Sequence, residues 1–170
     1  MGLLQLRHID GALGRRAEIH ALYRERLQGI AGLRLIDTLP DTTPNHSYFP
    51  VLVGPDFPLT RDELYFLLKE HGIHGRRYFY PLISSFPMYR GLPSAAPENL
   101  PVATRLSNQV ICLPIYPALS DEEVSRIADT VRYAAMMQRK AAAAARGGSP
   151  RKGANARPGG GGGGGAPPAR

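Results

Sequence analysis

Arg76-Arg77-Tyr78-Phe79-Tyr80 places two guanidinium groups and three aromatic rings in five consecutive positions, directly ahead of Pro81. A guanidinium can grip a diphosphate or a carboxylate with two parallel hydrogen bonds. A tyrosine can stack on a sugar face or donate its phenolic hydrogen. His46, just before Tyr48 and Phe49, offers a second polar group from a neighbouring segment. Arg76, Arg77, Tyr78, Tyr80 and His46 are therefore the candidate substrate-binding residues. Each also has a plainer reading: the rings as core, one arginine as a surface group, and His46 as a structural histidine.

Other chemistries lack their residues. The histidines at 8, 20, 46, 71 and 74 form no H-E-x-x-H pattern, and Cys112 is the only cysteine, so no metal site is expected. Cys112 sits in the apolar run Val110-Ile-Cys-Leu113 and reads as a core residue rather than a nucleophile. No GxxxxGK[ST] phosphate loop occurs. The acids Asp62 and Glu63, and Asp121 to Glu123, stand in first turns of helices, where the macrodipole explains them. No catalytic residue is assigned.

Positioning the basic aromatic stretch requires a scaffold, and its pieces can be read in order. Apolar residues at three- and four-residue steps (Leu3, Leu6, Leu13, Ala17, Tyr23, Leu27) predict one long helix from Leu3 to about Ile30. It has no evident N-cap, which suggests a preceding segment. Leu33–Ile36 and His46–Val53 read as strands, the second kept from a central position by Pro50. Thr60-Arg-Asp-Glu63 is a capping box opening a helix that stops at Gly72. The stretch from His74 to Tyr80 reads as a strand with Arg77 and Phe79 on one face and Tyr78 and Tyr80 on the other. An irregular covering loop (84–100), a short helix from Pro101 to about Asn108 and a buried strand (110–115) follow. Ser120-Asp-Glu-Glu123 then caps a last helix with Val124, Ile127, Ala128 and Val131 facing inward. The sum is a small α+β unit: three or four short strands, two substantial helices against them, and one long helix leading in.

The net charge of +7 invites a nucleic-acid reading until the charges are located. Seven of the 21 basic residues lie from Arg139 onward with no acid among them, so residues 1–138 carry 21 − 7 = 14 basic against 14 acidic side chains. The body is neutral and the basicity belongs to a Gly-, Ala- and Pro-rich tail, expected to be disordered beyond about Ala145. A noncatalytic interaction module, or weak nucleic-acid binding through this tail, is the alternative to an enzymatic role. No run approaches the roughly 20 apolar residues of a membrane span, no signal peptide is evident, and a single cysteine suits a reducing cytoplasm.

Taken together, MGLLQLRHIDGALGRRAEIHALYRERLQGIAGLRL, HSYFPVLV, KEHGI, RRYFYPLISSFPMYRG and LPVATRLSNQVICLPIYPALSDEEVSRIADTVR resemble the C-terminal portion of the DegT/DnrJ/EryC1/StrS family. These are pyridoxal-phosphate (PLP) aminotransferases acting on nucleotide-linked keto sugars for polysaccharide or amino-sugar biosynthesis. The resemblance implies the small C-terminal domain of a fold-type I aminotransferase: a short three- to four-stranded sheet with helices on one face, preceded by a long interdomain helix. It implies an interdomain helix (1–30) and a small domain (31–138), after which composition gives a disordered basic Ala/Gly/Pro tail (139–170). It also implies that RRYFYP borders the active-site mouth, and that the full-length enzyme is a homodimer using a nucleotide-sugar and an amino-acid donor. In the family a separate N-terminal domain supplies the Schiff-base lysine and most cofactor contacts. The lysines here, at 69, 140 and 152, match no such motif, so this chain alone is expected to hold no PLP and not to transaminate.

Overall fold

A computed structural model describes residues 2–147 of the chain, with side chains through Met137. The expected long first helix is broken in two: α1 (Gly2–Leu6) and α2 (Ile9–Leu27). Arg7 and His8 interrupt it, and His8 supplies no side-chain cap. Leu3, Leu4 and Leu6 are exposed, so the apolar stripe of the first turns has nothing to pack on. Burial begins with Ile19, Tyr23 and Leu27, four residues apart on one face of α2.

β1 (Leu33–Leu35), β2 (Phe49–Val53) and β3 (Val110–Leu113) form an antiparallel sheet in the order β1-β2-β3. Pro50 thus lies in the central strand, contrary to expectation. The register explains its tolerance. Pro50 faces Cys112, and Cys112 exchanges both of its backbone hydrogen bonds with Arg76 on its other side, at 2.8 and 2.9 Å. The Pro50–Cys112 pair is therefore of the non-hydrogen-bonded kind. The missing N–H of Pro50 points the other way, past Leu35, where β1 ends opposite Val51.

α3 (Arg61–Glu70) begins with the expected capping box: the Thr60 N–H donates to Glu63 Oε2 at 2.7 Å and the Glu63 N–H donates to Thr60 Oγ1 at 3.3 Å. Three 3₁₀ turns (Ile83–Ser85, Pro93–Ala95, Pro97–Asn99) organise the covering loop, and α4 (Pro101–Gln109) leads into β3. α5 (Asp121–Gly147) opens on the second box, with Ser120 N–H to Glu123 Oε2 at 2.9 Å and Glu123 N–H to Ser120 Oγ at 3.2 Å. Of the residues expected to be disordered beyond about Ala145, Arg146 and Gly147 still belong to α5, and those from 148 lie outside the described residues.

Phe49, Val51, Val53, Ile111 and Leu113 point to one face of the sheet and join Ile19, Tyr23, Leu27, Leu64, Leu68, Val124, Ile127 and Val131 in a single core. The Tyr23 hydroxyl, inside it, donates to Pro114 O at 2.9 Å, and burial pushes its pKa up. Helices α2, α3 and α5 cover this face, while α4 lies over the other. Alternation therefore leaves Arg34, Leu52, Val110 and Cys112 on the α4 side of the sheet.

Candidate functional site

The basic aromatic stretch is not the strand that its alternation suggests. Only Arg76 pairs, through an isolated bridge to Cys112 at the edge of β3, and the chain then turns at Tyr78–Phe79. The Tyr78 and Phe79 rings lie together, with centroids 4.2 Å apart, whereas a strand would separate them onto opposite faces. β3 runs only to Leu113, so one bridge opposite Cys112 is all the pairing this segment makes.

Arg77 and Tyr80 pack back against α3, although Tyr80 stays exposed along one edge. Arg77 Nη1 donates to Asp62 Oδ1 at 2.9 Å, and its guanidinium carbon lies 4.5 Å from the Tyr65 ring centre and 5.2 Å from that of Tyr80. The Tyr80 ring also lies 4.5 Å beneath Arg61. Partial burial raises the Asp62 carboxyl, but the Arg77 hydrogen bond and the charges of Arg61 and Arg77 outweigh it and hold the pKa below the usual carboxylate range. These groups are committed to one another and fix the loop.

Arg76 is exposed and Tyr78 is half-buried. The Arg76 side chain lines a hollow of about 320 Å³ with Tyr48, His74, Cys112 and Tyr116. Tyr78 stacks on Tyr48 with ring centroids 5.1 Å apart and hydroxyls 3.5 Å apart. That contact raises the pKa of Tyr48. Burial pushes the Cys112 thiol up to about 11, partly offset by Arg76, which keeps it protonated and unreactive at neutral pH.

His46 stands apart from this group. Its backbone is left-handed (φ 48°), and its ring packs 4.6 Å from that of His20 on α2, which in turn lies 5.0 Å from Phe49. Burial first, then the charges of His46 and Arg24, lower the pKa of His20. The unfolded chain therefore takes up this proton before the folded one does. Stability is fullest above the ordinary histidine value and declines as pH falls through it. The melting temperature is expected to drop between about pH 7 and pH 5, and to drop less in His20→Gln. Equal pH profiles for the two proteins would remove His20 from this role.

Among the described residues no group of three or more His, Cys, Asp or Glu could hold a metal ion, and no helix is long and apolar enough to cross a membrane. Sequence reasoning missed Tyr48, Arg61 and Tyr65 as members of the site. Arg61 was hidden as the first residue of a capped helix, and Tyr65 stands four residues further along the same helix.

A three-stranded antiparallel sheet, backed by the α2–α5 pair and carrying a basic aromatic loop off its edge, is the small-domain architecture of fold-type I aminotransferases. The chain belongs to the DegT/DnrJ/EryC1/StrS aminotransferase family, whose pattern matches residues 1–132. A dTDP-4-amino-4,6-dideoxy-D-glucose transaminase of Escherichia coli is 48% identical over 126 residues, covering 74% of this chain and 34% of that protein. The crystal structure of DesI in the presence of its TDP-sugar product superposes with a TM-score of 0.75 at 33% identity, covering 86% of this chain and 37% of DesI. S. venezuelae DesV in complex with a ketimine intermediate gives a TM-score of 0.70 at 35% identity over 78% of this chain and 34% of DesV. The chain spans about a third of the length of these relatives.

The family uses PLP, and the described residues do not fit that cofactor by themselves. Lys69, the one lysine whose side chain is described, is exposed on the outer turn of α3 beside Glu70 and lines none of the hollows around Arg76–Tyr80.

Proposed function

We propose that this chain is the small domain of a PLP-dependent aminotransferase that moves an amino group from an amino-acid donor to a nucleotide-linked keto sugar, in polysaccharide or amino-sugar biosynthesis. The 48% identity to a dTDP-sugar transaminase carries the reading. In this proposal residues 1–30 connect to a lysine-bearing large domain, residues 31–138 form the small domain, and residues 139–170 are a tail. The full-length enzyme is a cytoplasmic homodimer. Arg76, which is exposed, and Tyr78, stacked on Tyr48, contact the substrate, while Arg77 and Tyr80 hold the loop that presents them. His46 supports the loop ahead of β2.

Two measurements test this. The chain alone, given PLP, glutamate and a dTDP-4-keto-6-deoxy sugar, is expected to form no amino sugar and to retain no visible cofactor absorbance after desalting. A chimera of the E. coli relative, with its matching segment replaced by residues 2–137 of this chain, is expected to make the amino sugar. Arg76→Ala in that chimera should lower kcat/KM by roughly tenfold or more, the scale of one lost charge-assisted contact. Turnover by the isolated chain, or a folded, PLP-loaded chimera without transfer, overturns the proposal.

A further inference from the structure

The last helix has a second face that the described residues leave uncovered. Val124, Ile127, Ala128 and Val131 turn one side of α5 into the core. On the opposite side, at three- and four-residue steps, stand Glu122, Arg126, Asp129, Tyr133, Met136 and Met137. All six are exposed, and the three apolar ones follow one another along the stripe. The polar half of the stripe lines, with His71 at the end of α3, a hollow of about 760 Å³ that shares no residue with those around Arg76–Tyr80. The apolar half begins at Tyr133, just beyond the residues matched by the family pattern.

α5 is also divided by charge. From Asp121 to Asp129 it holds four acids against the single Arg126, and from Thr130 to Gly147 it holds Arg132, Arg139, Lys140 and Arg146 with no acid. Among the described residues Glu122 makes no ion pair, and Asp129 makes a long one of 3.9 Å with Arg26. A helix acidic in its first half and basic in its second complements itself when two copies lie antiparallel, and repels itself when they lie parallel. Tyr133, Met136 and Met137 sit at the middle of this helix, so an antiparallel pair brings the apolar residues to the centre of the contact and the charges to its two ends.

We propose that the outer face of α5 docks a second copy of this chain, the two helices lying antiparallel about a two-fold axis that passes between Tyr133 and Met136. In that register Tyr133 faces the partner's Met136, a sulfur–aromatic contact, and Asp129 falls opposite position 140, where the sequence has lysine. Glu122 falls opposite the end of the helix, beside position 146, where the sequence has arginine. The 27 residues of α5 span about 40 Å. One helix pair of that length is a small interface, so the association is weak and depends on concentration. An anionic membrane would attract the basic half of α5 and repel the acidic half, so the division of charge favours a second copy over a lipid surface. The inference rests on α5 alone and not on the function proposed above.

The test is sedimentation equilibrium of the whole 170-residue chain across a range of concentrations. The mass is expected to rise from 18.5 kDa toward twice that value. Met136→Glu should abolish the rise and leave circular dichroism unchanged, because the side chain is exposed. Asp129→Lys should weaken association by roughly tenfold, since symmetry places the new repulsion twice in each dimer, and Asp129→Lys combined with Lys140→Asp should restore it. A monomeric mass up to about 1 mM, a dimer that survives Met136→Glu, or a charge exchange that fails to restore association overturns the proposal. So does a dimer lost in the Leu4→Ser, Leu6→Ser double variant, which would move the contact to α1. A monomer that sediments with anionic phosphatidylglycerol vesicles would give the stripe to a lipid surface and overturn it as well. Because the readout is the mass of this chain, it can fail while the chimera still transfers an amino group, and the reverse.

Discussion

Gly32→Ala is expected to destabilise the chain by about 3–5 kcal/mol, enough to unfold much of a domain of ordinary stability. Gly32 has φ +75°, a left-handed conformation that costs an L-residue roughly 1–2 kcal/mol. The larger cost is steric. A Cβ at this position would lie 1.9 Å from Phe57 N, 2.3 Å from Asp56 C and 2.5 Å from Phe57 Cα, all backbone atoms that cannot rotate away. The same turn is tied together by Gly54 N–H to Gly32 O at 2.7 Å and Phe57 N–H to Gly54 O at 3.1 Å. Phe57 is buried in the core, so moving the turn moves core packing. Gly29 provides the control: its φ is +77°, but a Cβ there meets nothing within 4 Å. Gly29→Ala should cost only about 1 kcal/mol. Urea denaturation of both variants separates the two effects, and a Gly32→Ala midpoint matching that of Gly29→Ala would refute the steric account.

What could be read in the sequence was what neighbours in the chain determine. Thr60–Glu63 and Ser120–Glu123 satisfy their own helix ends over three residues, and both caps form. Val124, Ile127, Ala128 and Val131 define their buried face by spacing alone, and all four are buried. The failures need distant residues. Pro50 is acceptable in the central strand only because β1 stops at Leu35 and Cys112 bonds to Arg76, neither of which is visible near position 50. The RRYFYP alternation fails because β3 offers a single bridge opposite Arg76. The residue types of the site were legible, but not their allegiance: Arg76 and Arg77 are adjacent, yet one lines an open hollow and the other bonds Asp62, fifteen positions away.

Arg61→Ala is expected to cost about 2–4 kcal/mol and, separately, to loosen the loop that carries Tyr78 and Tyr80. The Arg61 residue is 2% exposed. Its Nη1 donates to Ser107 O at 2.8 Å and to Val110 O at 3.2 Å, joining the end of α4 to the start of β3. Asp62 Oδ1 lies 2.9 Å from its Nε, yet this N–H makes no aligned hydrogen bond, so the attraction there is ionic. Truncation leaves two carbonyls without their donor, each worth roughly 1–3 kcal/mol if water cannot reach it. It also removes the cation beneath the Tyr80 ring, a contact of about 1–2 kcal/mol when desolvated. The loss of the ionic attraction adds little, because the Asp62 side chain is 45% exposed and can rehydrate. Arg61→Lys keeps the charge but cannot reach two carbonyls and lie flat on Tyr80 at once, so it should recover only part of the loss. Amide hydrogen exchange gives the decisive reading. Residues 78–82 and 105–110 should lose protection in Arg61→Ala by a larger factor than α2 and the core of α5, as local opening requires. Uniform loss of protection across the chain would reduce Arg61 to a general core residue, with no special hold on the site.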